Sequence, residues 1–199
     1  SLWSDGGSPI IEMAHAARSI GHEYIVMSDH SPRLTVANGL SVERLLQQLE
    51  EIAAVNKQLS DEAAEGAPRF RVLTGIECDI NEDGTLDQDL EILASLDVVV
   101  ASVHSKLRAD RTVMTERMLG AICNPNMDIL GHCTGRIVAG RGRPQSTFDH
   151  EAVFTACRDN DVAVEINSRP ERRDPPTSGA IGKLCLFSTG TSGFRSAKG

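Results

Sequence analysis

The sequence has no apolar stretch long enough to cross a membrane and no secretory signal pattern, so membrane insertion is not predicted. Its five cysteines show no paired spacing, which argues against a disulfide framework and favours a reducing, cytoplasmic compartment. Positive charge is not in excess either. Acidic residues number 28 against 20 basic ones, a net charge of −8, which argues against general coating of nucleic acid or membrane. No Gly-rich phosphate loop follows an apolar run, unlike in most nucleotide-binding open sheets.

Five short apolar runs are the main pattern that is present, and four of them lead directly into a histidine or a glutamate. The runs predict strands buried on both faces of a parallel sheet, because they lack the polar alternation of a half-exposed strand. In a barrel of such strands, the residues just past the strand ends meet at one mouth. His and Glu are metal ligands, so a metal site is predicted there. The runs, each with the residue that follows it, are 24–29 with His30, 71–76 with Glu77, 98–103 with His104, 127–131 with His132, and 162–166 with Asn167.

Segments with helical spacing lie between the runs, and this alternation favours a parallel α/β sheet with right-handed crossovers. At 199 residues the chain is long enough for one compact domain. An open doubly wound sheet would satisfy the same alternation, but polar residues end all five strands, which favours a barrel. The first predicted helix has its N-cap at Ser8, begins at Pro9 and ends at Gly21. Further helices are predicted after an N-cap at Ser41, over 111–122, and after an N-cap at Asp149.

Glu77, His104 and His132 are the candidate ligands at three of these strand ends. Three N or O ligands with an open position are typical of catalytic zinc, and imidazole with carboxylate also suits manganese. A single histidine at a strand end is more often a hydrogen-bonded structural residue, and Glu77 alone could cap a turn. The recurrence at three strand ends is what favours a metal over these simpler roles.

The distribution of charge favours a phosphate substrate. Residues 43–97 contain 14 acidic and 4 basic side chains, whereas residues 102–145 contain 7 basic and 3 acidic ones. Arg136 follows the His132 strand end closely, and a guanidinium can grip phosphate oxygens in a bidentate manner. Arg136 is therefore the leading candidate for a phosphate contact. A solvated basic loop is the alternative interpretation.

Six ordered motifs between about residue 2 and residue 174 resemble those of one protein family. They are Trp3-Ser4-Asp5-Gly6, Ser28-Asp29-His30-Ser31-Pro32, Gly75-Ile76-Glu77-Cys78-Asp79-Ile80, Ala101-Ser102-Val103-His104-Ser105, Gly131-His132-Cys133-Thr134-Gly135-Arg136 and Glu165-Ile166-Asn167-Ser168. The set resembles the PHP (polymerase and histidinol phosphatase) domain. The residues of these motifs are most similar to those of the PHP domain at the C-terminus of bacterial family X DNA polymerases.

The resemblance implies a distorted (β/α)7, TIM-like barrel that holds up to three divalent metals, usually Zn or Mn. It implies an enzyme, a metal-dependent hydrolase acting on a phosphomonoester or phosphodiester. The likeness to family X polymerases adds DNA as a partner, with 3′-end processing in DNA repair. A histidinol-phosphatase-like activity is an alternative. The implied metal ligands are Asp5, His30, Glu77, His104 and His132. The candidate catalytic residues are Glu77, His104 and His132, together with Arg136, which the charge distribution adds.

Two family motifs are missing, so a barrel incomplete at both ends is predicted. A His-x-His should precede Trp3, and an Asp-x-His should follow the last strand, yet no Asp, Glu or His occurs after Asp174. We expect a barrel domain over 1–176 and a Gly/Ser/Thr-rich tail over 177–199 that is atypical or disordered. Unpaired barrel edges would promote self-association. The missing motifs also leave open a catalytically silent module with a structural or polymerase-accessory role.

Overall fold

The computed structural model describes residues 1–66, 68–167, 169–176 and 186–189. It has an α/β fold in which six strands are hydrogen-bonded in the order β1-β2-β3-β4-β5-β6. The pairs β1–β2, β3–β4, β4–β5 and β5–β6 are parallel. The elements are α1 (Ile10–Ser19), β1 (Tyr24–His30), the 3-10 helix η1 (Thr35–Ala37), α2 (Val42–Asp61), β2 (Arg71–Asp79), α3 (Leu90–Ser95), β3 (Val98–Ser102), α4 (Arg111–Ile122), β4 (Ile129–Leu130), α5 (His150–Asp159), β5 (Ala163–Asn167) and β6 (Leu186–Thr189).

The five strand predictions are confirmed, because each apolar run overlaps one of the strands β1 to β5. Burial explains why the runs lack polar alternation. In β3, for example, Val98, Val99 and Ala101 are each at most 2% exposed, so neighbouring side chains on opposite faces are both covered. The α/β class with a parallel sheet is thus confirmed.

The first of two compact units comprises Ser1–Asp79 and Asp87–Val99. Helices α1 and α2 pack against β1 and β2 around a core that includes Ile10, Met27, Ile52 and Val72. The predicted N-cap of α2 is confirmed, since the side chain of Ser41 accepts a hydrogen bond from the Arg44 amide.

The predicted cap of α1 is wrong. Pro9 itself takes the N-cap position, with φ −61° and ψ 154°, and no side chain caps the helix. The extended ψ of Pro9 delays the start of the helix to Ile10. Ser8 therefore lies one residue too early in the chain to be the cap.

The second unit comprises Ile80–Leu86 and the described residues from Val100 onwards. Helix α4 has the predicted bounds, and Asp149 caps α5 by accepting a hydrogen bond from the Ala152 amide. Helices α4 and α5 pack together. Gly84, with φ +83°, makes a close backbone approach to Gly120 of α4, where a Cβ on Gly120 would lie 3.1 Å from the Gly84 Cα.

The tail predicted over 177–199 is described in part. Leu186–Thr189 forms β6, which pairs in parallel with β5 so that Val164 lies opposite Leu186. The other tail residues lie outside the described residues, so the boundary at residue 176 stays a prediction. Among the described residues, no helix combines the length and the apolar character that crossing a membrane requires.

Candidate metal centre

His30 and Glu77 lie side by side at the carboxyl ends of β1 and β2. They are register partners in the parallel pair, so their side chains leave the sheet on the same face. The Nδ1 atom of His30 is 3.6 Å from Oε2 of Glu77, and each side chain is 19% exposed. The local sequence produces this arrangement, because both apolar runs stop where these residues begin.

Asp5 approaches the other nitrogen of the same imidazole. Its Oδ2 lies 4.0 Å from Nε2 of His30, and its side chain is 63% exposed. The structure therefore brings together Asp5, His30 and Glu77, all of which the sequence predicts as ligands. Carboxylate oxygens and an imidazole are donors that Zn and Mn accept.

His104, a further predicted ligand, lies two residues after β3 and belongs to the second unit. Ligation by His104 stays a prediction. Within the first unit, the imidazole of His30 and the carboxylates of Glu77 and Asp5 are donors of the kind found in catalytic zinc sites. Their chemistry and their close approach fit a divalent metal of the predicted kind.

His132 is held by a carboxylate and a hydroxyl. Its Nδ1 lies 3.5 Å from Oε2 of Glu165 and 3.3 Å from Oγ of Ser102, and its backbone N–H also donates to Glu165 Oε2. The His132 ring is 5.2 Å from the ring of His104. The sequence groups His132 with Glu77 and His104, whereas the register partner of Glu77 is His30. Ligation by His132 stays a prediction.

Glu165 is a polar residue of this region that sequence reasoning does not pick out as a candidate. It is 7% exposed, and the Asn167 amide donates to its Oε1 at 3.1 Å. The available signal was a charged residue inside an apolar run, since residues 162–166 are otherwise apolar. A buried carboxylate needs hydrogen-bond donors, and here the His132 and Asn167 groups supply them.

Asp29, directly before His30, keeps a negative charge beside the candidate ligands. It is 3% exposed and accepts hydrogen bonds from Ser4 Oγ and, at 2.6 Å, from Gln48 Nε2. Burial acts to raise the pKa of Asp29, but hydrogen bonds from the Ser1 ammonium and the Ser4 and Ser1 hydroxyls outweigh it and lower the pKa. Asp29 is therefore a carboxylate at neutral pH.

Arg136, the predicted phosphate contact, bonds to backbone carbonyls. Its Nε donates to the Arg172 carbonyl at 3.0 Å, and its Nη2 donates to the Arg173 carbonyl. Arg143 likewise donates from Nε to the Gly135 carbonyl at 2.6 Å. Burial, followed by the nearby charge of Arg172, lowers the pKa of Arg143. These guanidiniums hold two loops together, and a catalytic role for Arg136 stays a prediction.

Comparison with known proteins shows relatives among bacterial enzymes, although no family model matches the chain. The DNA polymerase/3'-5' exonuclease PolX of Bacillus subtilis (strain 168) is 40% identical over 174 residues, which are 87% of this chain and 29% of that protein. A probable phosphatase of Thermoanaerobacter sp. (strain X514) is 32% identical over 165 residues, 81% of this chain and 58% of that protein. A probable phosphatase of Clostridium acetobutylicum is 29% identical over 162 residues, 80% of this chain and 57% of that protein. The chain thus spans less than two thirds of each relative.

A solved structure shares the fold. Histidinol phosphate phosphatase from Lactococcus lactis subsp. lactis Il1403, complexed with zinc, L-histidinol and phosphate, superposes with a TM-score of 0.50 at 17% identity. The match covers 85% of this chain and 71% of that one. The homology to the polymerase/exonuclease and to the probable phosphatases, together with this shared fold, confirms the resemblance to the PHP family that the six motifs predict.

Proposed function

We propose that this chain carries the metal site of a metal-dependent phosphoesterase that hydrolyses a phosphomonoester or a phosphodiester. The observation that carries the proposal is the pairing of His30 with Glu77 at adjacent strand positions, with Nδ1 of His30 3.6 Å from Oε2 of Glu77 and Asp5 beside the other imidazole nitrogen. The names of the relatives, a 3'-5' exonuclease and probable phosphatases, support hydrolysis of phosphate esters.

The candidate residues would have different roles at the metal site. His30 and Glu77 would hold a Zn or Mn ion, with Asp5 beside His30 as a further carboxylate. The family resemblance adds His104 and His132 as proposed ligands. Such an ion, when bound, supplies positive charge for a phosphoryl oxygen and lowers the pKa of a nearby water. Glu165 would keep the His132 ring in one orientation through the contact at Nδ1.

Arg136 would contribute positive charge to phosphate binding. A guanidinium has five N–H donors, and the carbonyls of Arg172 and Arg173 occupy Nε and Nη2 of Arg136. Its remaining donors would suit phosphate oxygens, and the carbonyl contacts would fix its orientation. This role rests on the motif that follows His132 and on the basic character of residues 102–145.

The finer proposal is that the ester is at a DNA 3′ end, in a cytoplasmic protein that takes part in DNA repair. The support is the 40% identity to a polymerase whose name includes a 3'-5' exonuclease. The proposal also includes a (β/α)7 barrel, to which the six strands would belong. Zn and Mn are both compatible with a donor set of imidazole and carboxylate.

Metal analysis paired with hydrolysis of bis(p-nitrophenyl) phosphate tests the proposal. We expect Glu77→Ala and His104→Ala to weaken metal binding by more than about tenfold and to abolish hydrolysis. His15→Ala is the matched control, because His15 pairs with Glu62 on the surface and should leave both properties unchanged. Metal binding by Glu77→Ala equal to wild type would refute the proposal.

The same assays separate the alternative functions. A wild-type chain that binds metal but hydrolyses no phosphate ester would support a catalytically silent module. Preferential hydrolysis of histidinol phosphate over a DNA 3′ end would support a phosphatase instead of a nuclease. A comparison of these two substrates with the same protein preparation decides between them.

A further inference from the structure

We propose that Asp87 is a positioning residue that fixes the strand ends carrying His30 and Glu77, and so sets the affinity of the metal site. Asp87 belongs to none of the six sequence motifs, and it lies in the segment between β2 and α3. The inference rests on the proposed function, because it assumes that His30 and Glu77 bind a metal.

The Asp87 carboxylate bridges the segments that follow β1 and end β2. Its two oxygens lie 2.6 and 2.7 Å from the Ser31 hydroxyl. The same carboxylate accepts hydrogen bonds from the Arg33 amide at 3.0 Å and from the Asp79 amide at 2.7 Å. The Asp87 amide also donates to the Asp79 carbonyl at 3.2 Å. One side chain thus connects two stretches of backbone that are far apart in sequence.

Both stretches are directly attached to candidate ligands. Ser31 follows His30, is fully buried, and donates its backbone N–H to the Glu77 carbonyl at 3.0 Å. Asp79 lies two residues after Glu77 and therefore on the same face of β2. Because Asp87 binds both Ser31 and Asp79, it limits how far the backbones behind the two ligands can separate.

This restraint matters because metal affinity depends on preorganised ligands. Groups that orient the ligands typically change metal affinity by about 10–100-fold when they are removed. The hydrogen bonds at Asp87 are charge-assisted, which makes them stronger than neutral ones. Without these hydrogen bonds, the ligands would become ordered only when the metal binds, and the cost of that ordering would reduce the free energy of metal binding.

Asp97 offers a matched control within the same compact unit. Its carboxylate accepts hydrogen bonds from the backbone amide and the hydroxyl of Thr74, at 2.8 and 2.9 Å. It therefore fixes β2 in the same chemical manner as Asp87. Thr74, however, precedes Glu77 by three residues, away from the carboxyl end of the strand.

The test measures Zn²⁺ affinity of the 199-residue chain by competition with a chelator, together with the absorption spectrum of bound Co²⁺. We expect Asp87→Asn and Ser31→Ala each to weaken Zn²⁺ binding by about 10–100-fold and to alter the Co²⁺ bands. Asp97→Asn should stay within about threefold of wild type. Ser31→Ala removes the hydroxyl contacts without changing the charge, so it separates positioning from electrostatics.

Three outcomes would overturn the inference. First, Asp87→Asn could bind Zn²⁺ as tightly as wild type. Second, Asp97→Asn could lose as much Zn²⁺ affinity as Asp87→Asn, and that result would indicate a general structural effect. A loss in Asp87→Asn without one in Ser31→Ala would indicate a charge effect. Circular dichroism shows whether each variant folds. If Asp87→Asn does not fold, the Zn²⁺ affinity of Ser31→Ala relative to wild type decides the outcome. Absence of Zn²⁺ binding by the wild type would instead refute the proposed function, and this inference with it.

Discussion

Replacement of Arg117 should strongly destabilise the second unit. Arg117 lies on α4 and is 3% exposed. Its Nε donates to the carbonyls of Ile80 and Asn81, each at 3.0 Å, and its Nη1 donates to the Ser105 carbonyl at 2.8 Å. Arg117→Met retains much of the apolar stem but removes every one of these donors.

The expected cost follows from the carbonyls of Ile80 and Ser105, since the Asn81 carbonyl keeps the Gly84 amide as a donor at 3.0 Å. An acceptor left without its partner costs about 1–3 kcal/mol, so the two together cost about 2–6 kcal/mol. Part of this cost is offset because a charge no longer has to be buried, which leaves a net loss of about 2–4 kcal/mol. Native domains have a total free energy of unfolding of about 5–15 kcal/mol. Arg117→Met should therefore leave this unit marginally stable.

Urea denaturation followed by circular dichroism measures this loss. Arg111→Met on the same helix is the control, since Arg111 is 61% exposed and pairs with Asp149 at 2.8 Å. An exposed ion pair of this kind contributes about 0–1 kcal/mol. A difference between the two variants of less than about 1 kcal/mol would show that the Arg117 hydrogen bonds do not stabilise the fold in the way argued.

Two further predictions concern pH and packing. Burial raises the pKa of the Cys157 thiol to about 12, whereas the thiol of an unfolded chain ionises near pH 8.5. Because only the unfolded state loses this proton above about pH 9, the free energy of unfolding should fall there by up to about 1.4 kcal/mol per pH unit. Cys157→Ala should reduce that slope in urea titrations at several pH values; an unchanged slope contradicts this. Gly120→Ala should lose about 1 kcal/mol despite its better helix propensity, because its Cβ would meet Gly84; a gain in urea stability contradicts this.

The strands and most helix boundaries were predictable because short-range signals determine them. Apolar runs that stop at His30 and Glu77 predict the carboxyl ends of two strands. His30 is the last residue of β1, whereas β2 continues two residues past Glu77 to Asp79. The caps Ser41 and Asp149 each bind a backbone amide one turn ahead, which depends on a few neighbouring residues. Pro9 shows the limit of such rules, since proline suits the first helical position but takes the cap here.

The grouping of the ligands was less predictable because it depends on strand register. A sequence pattern places His30 and Glu77 at strand ends, but it does not state that they are direct register partners. The prediction joins Glu77 with His104 and His132, whereas the neighbour of Glu77 in the strand register is His30. His132 is in contact with Glu165, a residue 33 positions away. The place of Glu165 inside an apolar run marks it as unusual but does not indicate its partner.

The residues that support the site were hidden from sequence reasoning because they are charged. Asp87 lies in an acidic segment and Arg117 in a basic one, and such segments normally predict solvated surface. Both side chains bind groups from distant parts of the chain. Asp87 accepts hydrogen bonds from backbone amides and a hydroxyl, and Arg117 donates hydrogen bonds to backbone carbonyls. Chain segments at the ends of parallel strands have amides and carbonyls that the sheet does not pair, and these need partners. It follows that charges of either sign near the strand ends also serve the fold, and that net charge alone cannot separate this structural role from substrate binding.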